Sequence, residues 1–152
     1  MIVKSDADGK PVEAYKEYKQ LFNSSDIDLD TCINFGFLCW RMQDFGFNSY
    51  YSIDISTIRE AYRMFPMIIA EAEGVRNGDS IPYFWELYSE LTEIGEDVNL
   101  ITLESIIQKT NYIDPYICYL VAGLHIPEGI MYRIRETVKV QSFKHRYISS
   151  FI

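Results

Sequence analysis

The sequence predicts an all-α protein, folded as a single compact helical domain of about seven helices. Three observations predict it. Apolar residues recur three or four apart over most of the chain, which gathers them on one side of a helix. Helix starts are marked by Asp28 or Asp30, Thr57, Pro82, Asp114-Pro115 and Pro127, residue types that cap a helix or open its first turn. Alternation of period two is scarce, and Asn48–Ile55 is the one stretch that fits a pairing strand, weakly.

Residues 1–9 are polar, with Asp6, Asp8 and Gly9, and are expected to form a flexible N-terminus ahead of a helical domain over 10–152. Val12, Tyr15, Tyr18 (or Lys19), Leu21 and Phe22 define the inner side of the first helix. A second helix, capped by Asp28 or Asp30, should reach about Asp44, with Ile33, Phe37, Trp40 and Met42 among its apolar positions. Gly46 should end it, leaving Asn48–Ser52 as loop. Thr57-Ile58-Arg59-Glu60 fits a capping box for the third, whose stripe is Ile58, Ala61, Tyr62, Phe65, Ile69 and Ala72. Pro66 lies past the first turn and predicts a kink near Arg63–Phe65. The stretch Gly74–Gly78 is its stop.

Pro82 suits the first turn of a fourth helix. Its inner stripe is Phe84, Leu87, Tyr88, Leu91 and Ile94, with Glu86, Glu90, Glu93 and Asp97 opposite. Three shorter helices follow, from Thr102 to about Thr110, from Asp114-Pro115 to Gly123, and from Pro127 onward.

With 152 residues, 48% of them apolar and 24% charged, the chain is long and apolar enough for one packed domain. No uncharged run exceeds Pro115–Pro127, thirteen residues against the roughly 20 that span a bilayer. The start has no apolar stretch fit for a signal peptide, and three cysteines without a close pair make no disulfide framework. A cytoplasmic location without membrane contact is the expectation.

Chemical sites fare poorly. His125 and His145 lie twenty apart without a second ligand at helical spacing, and Cys32, Cys39 and Cys118 form no Cys-x-x-Cys pair, so they read as core thiols. Asp26, Asp28 and Asp30 open like a calcium loop, but Thr31 and Phe37 stand where its glycine and glutamate belong. No glycine-rich loop precedes Lys-Ser or Lys-Thr, and no serine sits in an esterase-type turn. The chain is therefore expected to be no enzyme and to use no cofactor and no metal.

Charge is segregated. From Asn77 to Gln108 there is no lysine or arginine but there are seven acids: Asp79, Glu86, Glu90, Glu93, Glu96, Asp97 and Glu104. Such carboxylates gain from meeting a basic surface, including that of a protein whose normal partner is nucleic acid. Aromatics are dense too: Phe35, Phe37, Trp40, Phe45, Phe47, Tyr50 and Tyr51 are seven in seventeen residues. Core packing accounts for most, with one or two left as interface anchors; Trp40, Phe47 and Tyr50 are the candidates. At the other end, residues 126–152 hold Arg133, Arg135, Lys139, Lys144 and Arg146 against Glu128 and Glu136, a local net of +3. With −8 overall, residues 1–125 carry −11. The tail Gln141–Ile152 is expected to dock on the acidic body of its own chain or of a second copy, or else to contact a phosphate backbone.

Residues 102–140 carry a further pattern: Thr102 as a cap, apolar Ile106 and Ile107, a turn at Asn111-Tyr112, inward Ile117 and Leu120, then Gly123 and Pro127. Met131, Ile134, Val138 and Val140 continue it. This spacing resembles the Cro-like phage-repressor family of helix-turn-helix domains. The resemblance implies a helical bundle whose middle helix enters the major groove. It covers a quarter of the chain, with departures at Ile107, Thr110 and Asn111. Carried over, the groove-facing positions are Asp114, Pro115, Tyr116, Cys118 and Tyr119, none of which is a usual reader of base edges.

Two principal functions follow as expectations. The first is a small acidic protein that binds and blocks or regulates another protein with a basic surface. Asp79, Glu86, Glu90, Glu93, Glu96 and Asp97 would steer it, and the aromatics would anchor it. High isoleucine beside few alanines suggests an AT-rich genome, compatible with a phage or mobile element. That origin would suit an inhibitor of a nucleic-acid-handling defence complex or a toxin immunity protein. The second is a dimeric helix-turn-helix regulator contacting duplex DNA through Tyr116, Tyr119, Lys139, Lys144 and Arg146. A viral structural or assembly protein is a third. A homodimer is compatible with the first two.

Overall fold

The computed structural model describes residues 1–24, 27–75, 120, 123, 125–139 and 141–152. The protein is all-α, with seven helices and no strand among the described residues. They are α1 (Lys4–Ala7), α2 (Pro11–Asn23), α3 (Leu29–Arg41), α4 (Phe45–Tyr51), α5 (Ile55–Val75), α6 (Glu128–Thr137) and α7 (Phe143–Ser149). The chain divides into two compact units, Met1–Asp79 with Gln141–Lys144, and Ser80–Val140 with His145–Ile152. The helices predicted from Pro82 to Thr110, and most of the one from Asp114, lie outside the described residues.

In the first unit α3 is the central element. Every residue from Thr31 to Cys39 is buried, so this helix is covered on all sides, as a helix apolar around its whole circumference must be. Asp28 caps it, its carboxylate accepting the Thr31 N–H at 2.7 Å and the Thr31 hydroxyl at 2.6 Å. The aspartate is thus used in capping. The α2 side chains Tyr15, Tyr18 and Phe22 surround Phe35 of α3, with ring centroids 5.7, 5.6 and 5.9 Å away. On its other side α3 packs against α5, which contributes buried Ala61, Met64, Ile68 and Ala72. Lys19 of α2 and Glu60 of α5 form an ion pair between these outer helices.

Residues 1–9, expected to be flexible, are tied down. Ser5 donates to Glu17 through its N–H at 3.3 Å and its hydroxyl at 2.5 Å. Asp6 is 1% exposed. Its carboxylate accepts the Tyr18 O–H at 2.5 Å and the N–H of Phe143, 137 residues away, at 2.6 Å. Burial and the adjacent carboxylate hold the Tyr18 phenol protonated, well above its ordinary range. A carboxylate this deep is tolerable only when strong donors replace water.

Of the segment read as loop at Asn48–Ser52, within the one candidate strand, Asn48–Tyr51 is helical. Gly46 does not end α3, which stops at Arg41; it lies inside α4. Asp44 starts α4 by accepting the Phe47 N–H at 2.9 Å, and Ser52, left-handed at φ 51°, reverses the chain after it. The start of α5 also lies earlier than predicted. Asp54 is the cap, accepting from the Thr57 N–H at 2.7 Å and the Ser56 hydroxyl at 2.6 Å, so Thr57 stands inside the helix. From there α5 continues through Pro66 to Val75.

In the second unit, Gly123 adopts φ 71° and donates to Leu120 O at 3.1 Å, the left-handed stop that glycine allows without strain. Pro127 is the N-cap of α6. Ile126, Ile134 and Ile148 are buried there.

Two outcomes are expected. Asp6→Ala strands two buried donors and lowers stability by about 3 kcal/mol, whereas Tyr18→Phe costs about 1 kcal/mol, read from urea unfolding midpoints at constant slope. The Asp54 pKa is pulled down to about 2, below its ordinary 3.8, by the donors of Ser56 and Thr57. A depressed folded-state value stabilises above the unfolded pKa and is lost as pH falls through the folded one. Helicity at the start of α5, followed by NMR, should therefore decline between about pH 4 and 2, and Asp54→Ala should remove that dependence.

Candidate functional site

The two caps at Asp44 and Asp54 and the reversal at Ser52 turn α4 back onto the start of α5. The sequence of α4, Phe-Gly-Phe-Asn-Ser-Tyr-Tyr, then sorts its aromatics onto two sides. Phe47 and Tyr51, four apart, face each other at 4.8 Å and both meet Phe143 at 5.7 Å. The Arg41 guanidinium lies over the Phe47 ring at 5.1 Å and is 3.7 Å from Asp44. Edge-to-face contacts of this kind fix ring positions as well as adding burial.

Tyr50 stands on that packed base, edge-on to Tyr51 at 4.8 Å, yet is 81% exposed. Phe45 at the start of α4 is 86% exposed. A groove of about 490 Å³ runs between α4 and α5, lined by Phe45, Asn48, Ser52, Ile53, Ile55 and Ile58 among others. Along α5, Ile55, Tyr62 and Met67 are each more than half exposed. Singly exposed apolar residues are ordinary, but five of them on two consecutive helices make a surface.

Of the predicted anchors, Trp40 is half-buried, 5.6 Å from Phe37 and 5.8 Å from the Arg41 guanidinium. Phe47 is buried, which corrects its reading as an exposed anchor: its ring is taken up by Tyr51, Phe143 and Arg41. Tyr62, expected in the inner stripe, is 65% exposed, and Met64 and Ile68 take the inner positions. Phe45, Ile55 and Met67 were not singled out as anchors. The acids Asp79, Glu86, Glu90, Glu93, Glu96 and Asp97 lie outside the described residues, as do Tyr116 and Tyr119.

Among the proposed phosphate contacts, Lys144 is buried, which corrects its reading as a contact: little of its side chain is left for a nucleic acid. Lys139 pairs with Glu136 at 2.7 Å, and Arg146 is half-buried. On α6, Arg135 lies 3.4 Å from Glu128.

Cys32 and Cys39 are buried free thiols. Burial pushes the Cys32 thiol up to about 11 and raises that of Cys39 as well. Neither is poised as a nucleophile. Among the described residues no three His, Cys, Asp or Glu side chains converge to hold a metal ion, and no helix is long and apolar enough to cross a membrane. Comparison with protein-family models, curated proteins and solved structures returns no match.

Cys32 and Cys39 should resist alkylation at pH 8 in the folded protein and react fully in urea, with the modified peptides identified by mass spectrometry. Rapid native labelling of either would contradict their placement in the core.

Proposed function

We propose that this chain is a small acidic protein that acts by binding another protein and regulating or blocking it. The observation that carries this reading is the outward display of Phe45 and Tyr50 on α4, Tyr50 braced against Tyr51, next to the apolar groove leading to α5. Pre-positioned aromatics lose little entropy on binding, which is why they recur as interface anchors. The cation-free acidic stretch from Asn77 to Gln108 supplies long-range attraction to a basic surface. Size and charge together suit an inhibitor of a nucleic-acid-handling complex, or an immunity protein against a toxin, of phage or mobile-element origin.

The helix-turn-helix alternative draws on the local excess of cations in residues 126–152. Two of those cations are engaged by neighbouring carboxylates and one is buried, so the protein-binding reading has the better support.

Affinity capture from host lysate, run with and without nuclease, tests the proposal. A stoichiometric, nuclease-resistant protein partner is expected. Phe45→Ala and Tyr50→Ala should each weaken its capture about tenfold or more with helicity unchanged. Reversal of Glu86, Glu90 and Glu93 to lysine should weaken capture and abolish its salt dependence. Recovery of duplex DNA, with protein lost after nuclease, would overturn the proposal.

A further inference from the structure

The outward side of α5 differs in charge from the chain that carries it. From Ile55 to Met67 it runs Ile55, Arg59, Tyr62, Arg63, Pro66 and Met67, about 18 Å along the helix axis, with no carboxylate in the stripe. Arg59, Tyr62 and Arg63 are exposed in the folded chain, and neither arginine makes an ion pair among the described residues. The nearest acids of the same segment are engaged elsewhere: Asp54 caps α5, and Glu60 pairs with Lys19 on the flank facing α2. Both arginines line a depression of about 610 Å³, to which Ile55, Ile58 and Tyr62 also contribute. Ile55 and Ile58 are walls of the groove between α4 and α5 as well, so the two depressions share a border. An apolar trough therefore leads from Phe45 to a pair of guanidinium groups one turn apart.

This combination narrows the occupant. Guanidinium groups one turn apart are met best by carboxylates at the same interval, which a helix supplies from residues four apart. The isoleucine walls take the apolar side chains that adjoin those carboxylates. An extended peptide is disfavoured: no strand among the described residues offers an edge to its backbone groups, whereas a helix satisfies its own. A nucleic-acid backbone would meet the same arginines, but a net charge of −8 repels it and the isoleucines give it nothing. A second copy docked stripe to stripe about a two-fold axis would set arginine against arginine. We infer that the stripe of α5 and the adjoining groove are a docking site for an amphipathic helix of a partner protein, one carrying two carboxylates a turn apart beside an apolar face. The inference rests on the protein-binding reading and specifies what that surface takes. Overall charge steers the partner at long range, and the stripe selects one acidic helix on it at contact.

Selection of displayed random peptides of about 16 residues, some four helical turns, against the full chain provides the test without the natural partner. Enriched peptides should share apolar residues at intervals of three and four and a pair of Asp or Glu four apart. By fluorescence polarisation, Arg59→Glu with Arg63→Glu should weaken their binding about tenfold or more, and Ile55→Ser should weaken it severalfold. All three positions are exposed, so circular dichroism should show unchanged helicity. Exchanging the acids of a selected peptide for lysine should abolish binding to the natural chain and restore it to the double-arginine variant. That rescue also shows the variant to be folded. Failure of any peptide to enrich, selected peptides without paired acids, equal binding to both chains, or a failed charge exchange would each overturn the inference. So would a duplex oligonucleotide that outcompetes the peptides at these arginines. A partner captured from lysate that is indifferent to the arginine variant would leave the protein-binding reading standing and reject this site.

Discussion

A single buried carboxylate joins the two ends of the described chain. Asp6 receives the Tyr18 hydroxyl from α2 and the Phe143 amide from the start of α7, and is itself almost fully enclosed. Burying a carboxyl group there is costly unless donors replace the lost water, and the Tyr18 and Phe143 donors come from segments 12 and 137 residues distant. Once formed, the clasp seats α1 on α2 and brings Phe143 against Phe47 and Tyr51. The aromatic base beneath Tyr50 therefore depends on a contact made far from it in sequence.

Two layers of consequence follow. The inner layer is the covered helix α3, enclosed by the tyrosines of α2 and the buried row of α5. The outer layer is what this packing leaves on the surface: Phe45 and Tyr50 on α4, and the arginine-bearing stripe of α5. One helix thus serves both, since a 3.6-residue period lets α5 bury Ala61, Met64, Ile68 and Ala72 while displaying Arg59, Tyr62 and Arg63. Caps at Asp44 and Asp54 start the two helices that carry the displayed groups.

What could be read in the sequence was what local periodicity and capping encode. The existence of α2 and α3, a cap at one of Asp28 and Asp30, and the stop at Gly123 all follow from neighbours within four residues. The helix α4 escaped because Phe-Gly-Phe-Asn-Ser-Tyr-Tyr is poor in helix formers and rich in turn residues. Its helical state comes from the Asp44 cap and from packing against Phe143. Thr57 looked like a cap because Glu60 follows at the right interval, but Asp54, three residues earlier, takes that role and leaves Glu60 for Lys19. The fate of Asp6 was illegible for a different reason: a polar N-terminal segment reads as frayed unless its distant partner is known. Tyr62 was misplaced because stripe assignment tolerates a shift of one position, enough to carry a side chain from the core edge to solvent.

The dependence of the aromatic surface on the Asp6 clasp is open to direct measurement by amide hydrogen exchange followed by NMR. In the natural chain the Phe143 amide should exchange slowly, and Asp6→Ala should release it. The amides of Phe47 and Tyr51 should lose protection in parallel, since their packing partner is freed with it. If Phe143 stayed protected in that variant, or if α4 kept its full protection while Phe143 opened, the clasp would not be what holds this surface in place.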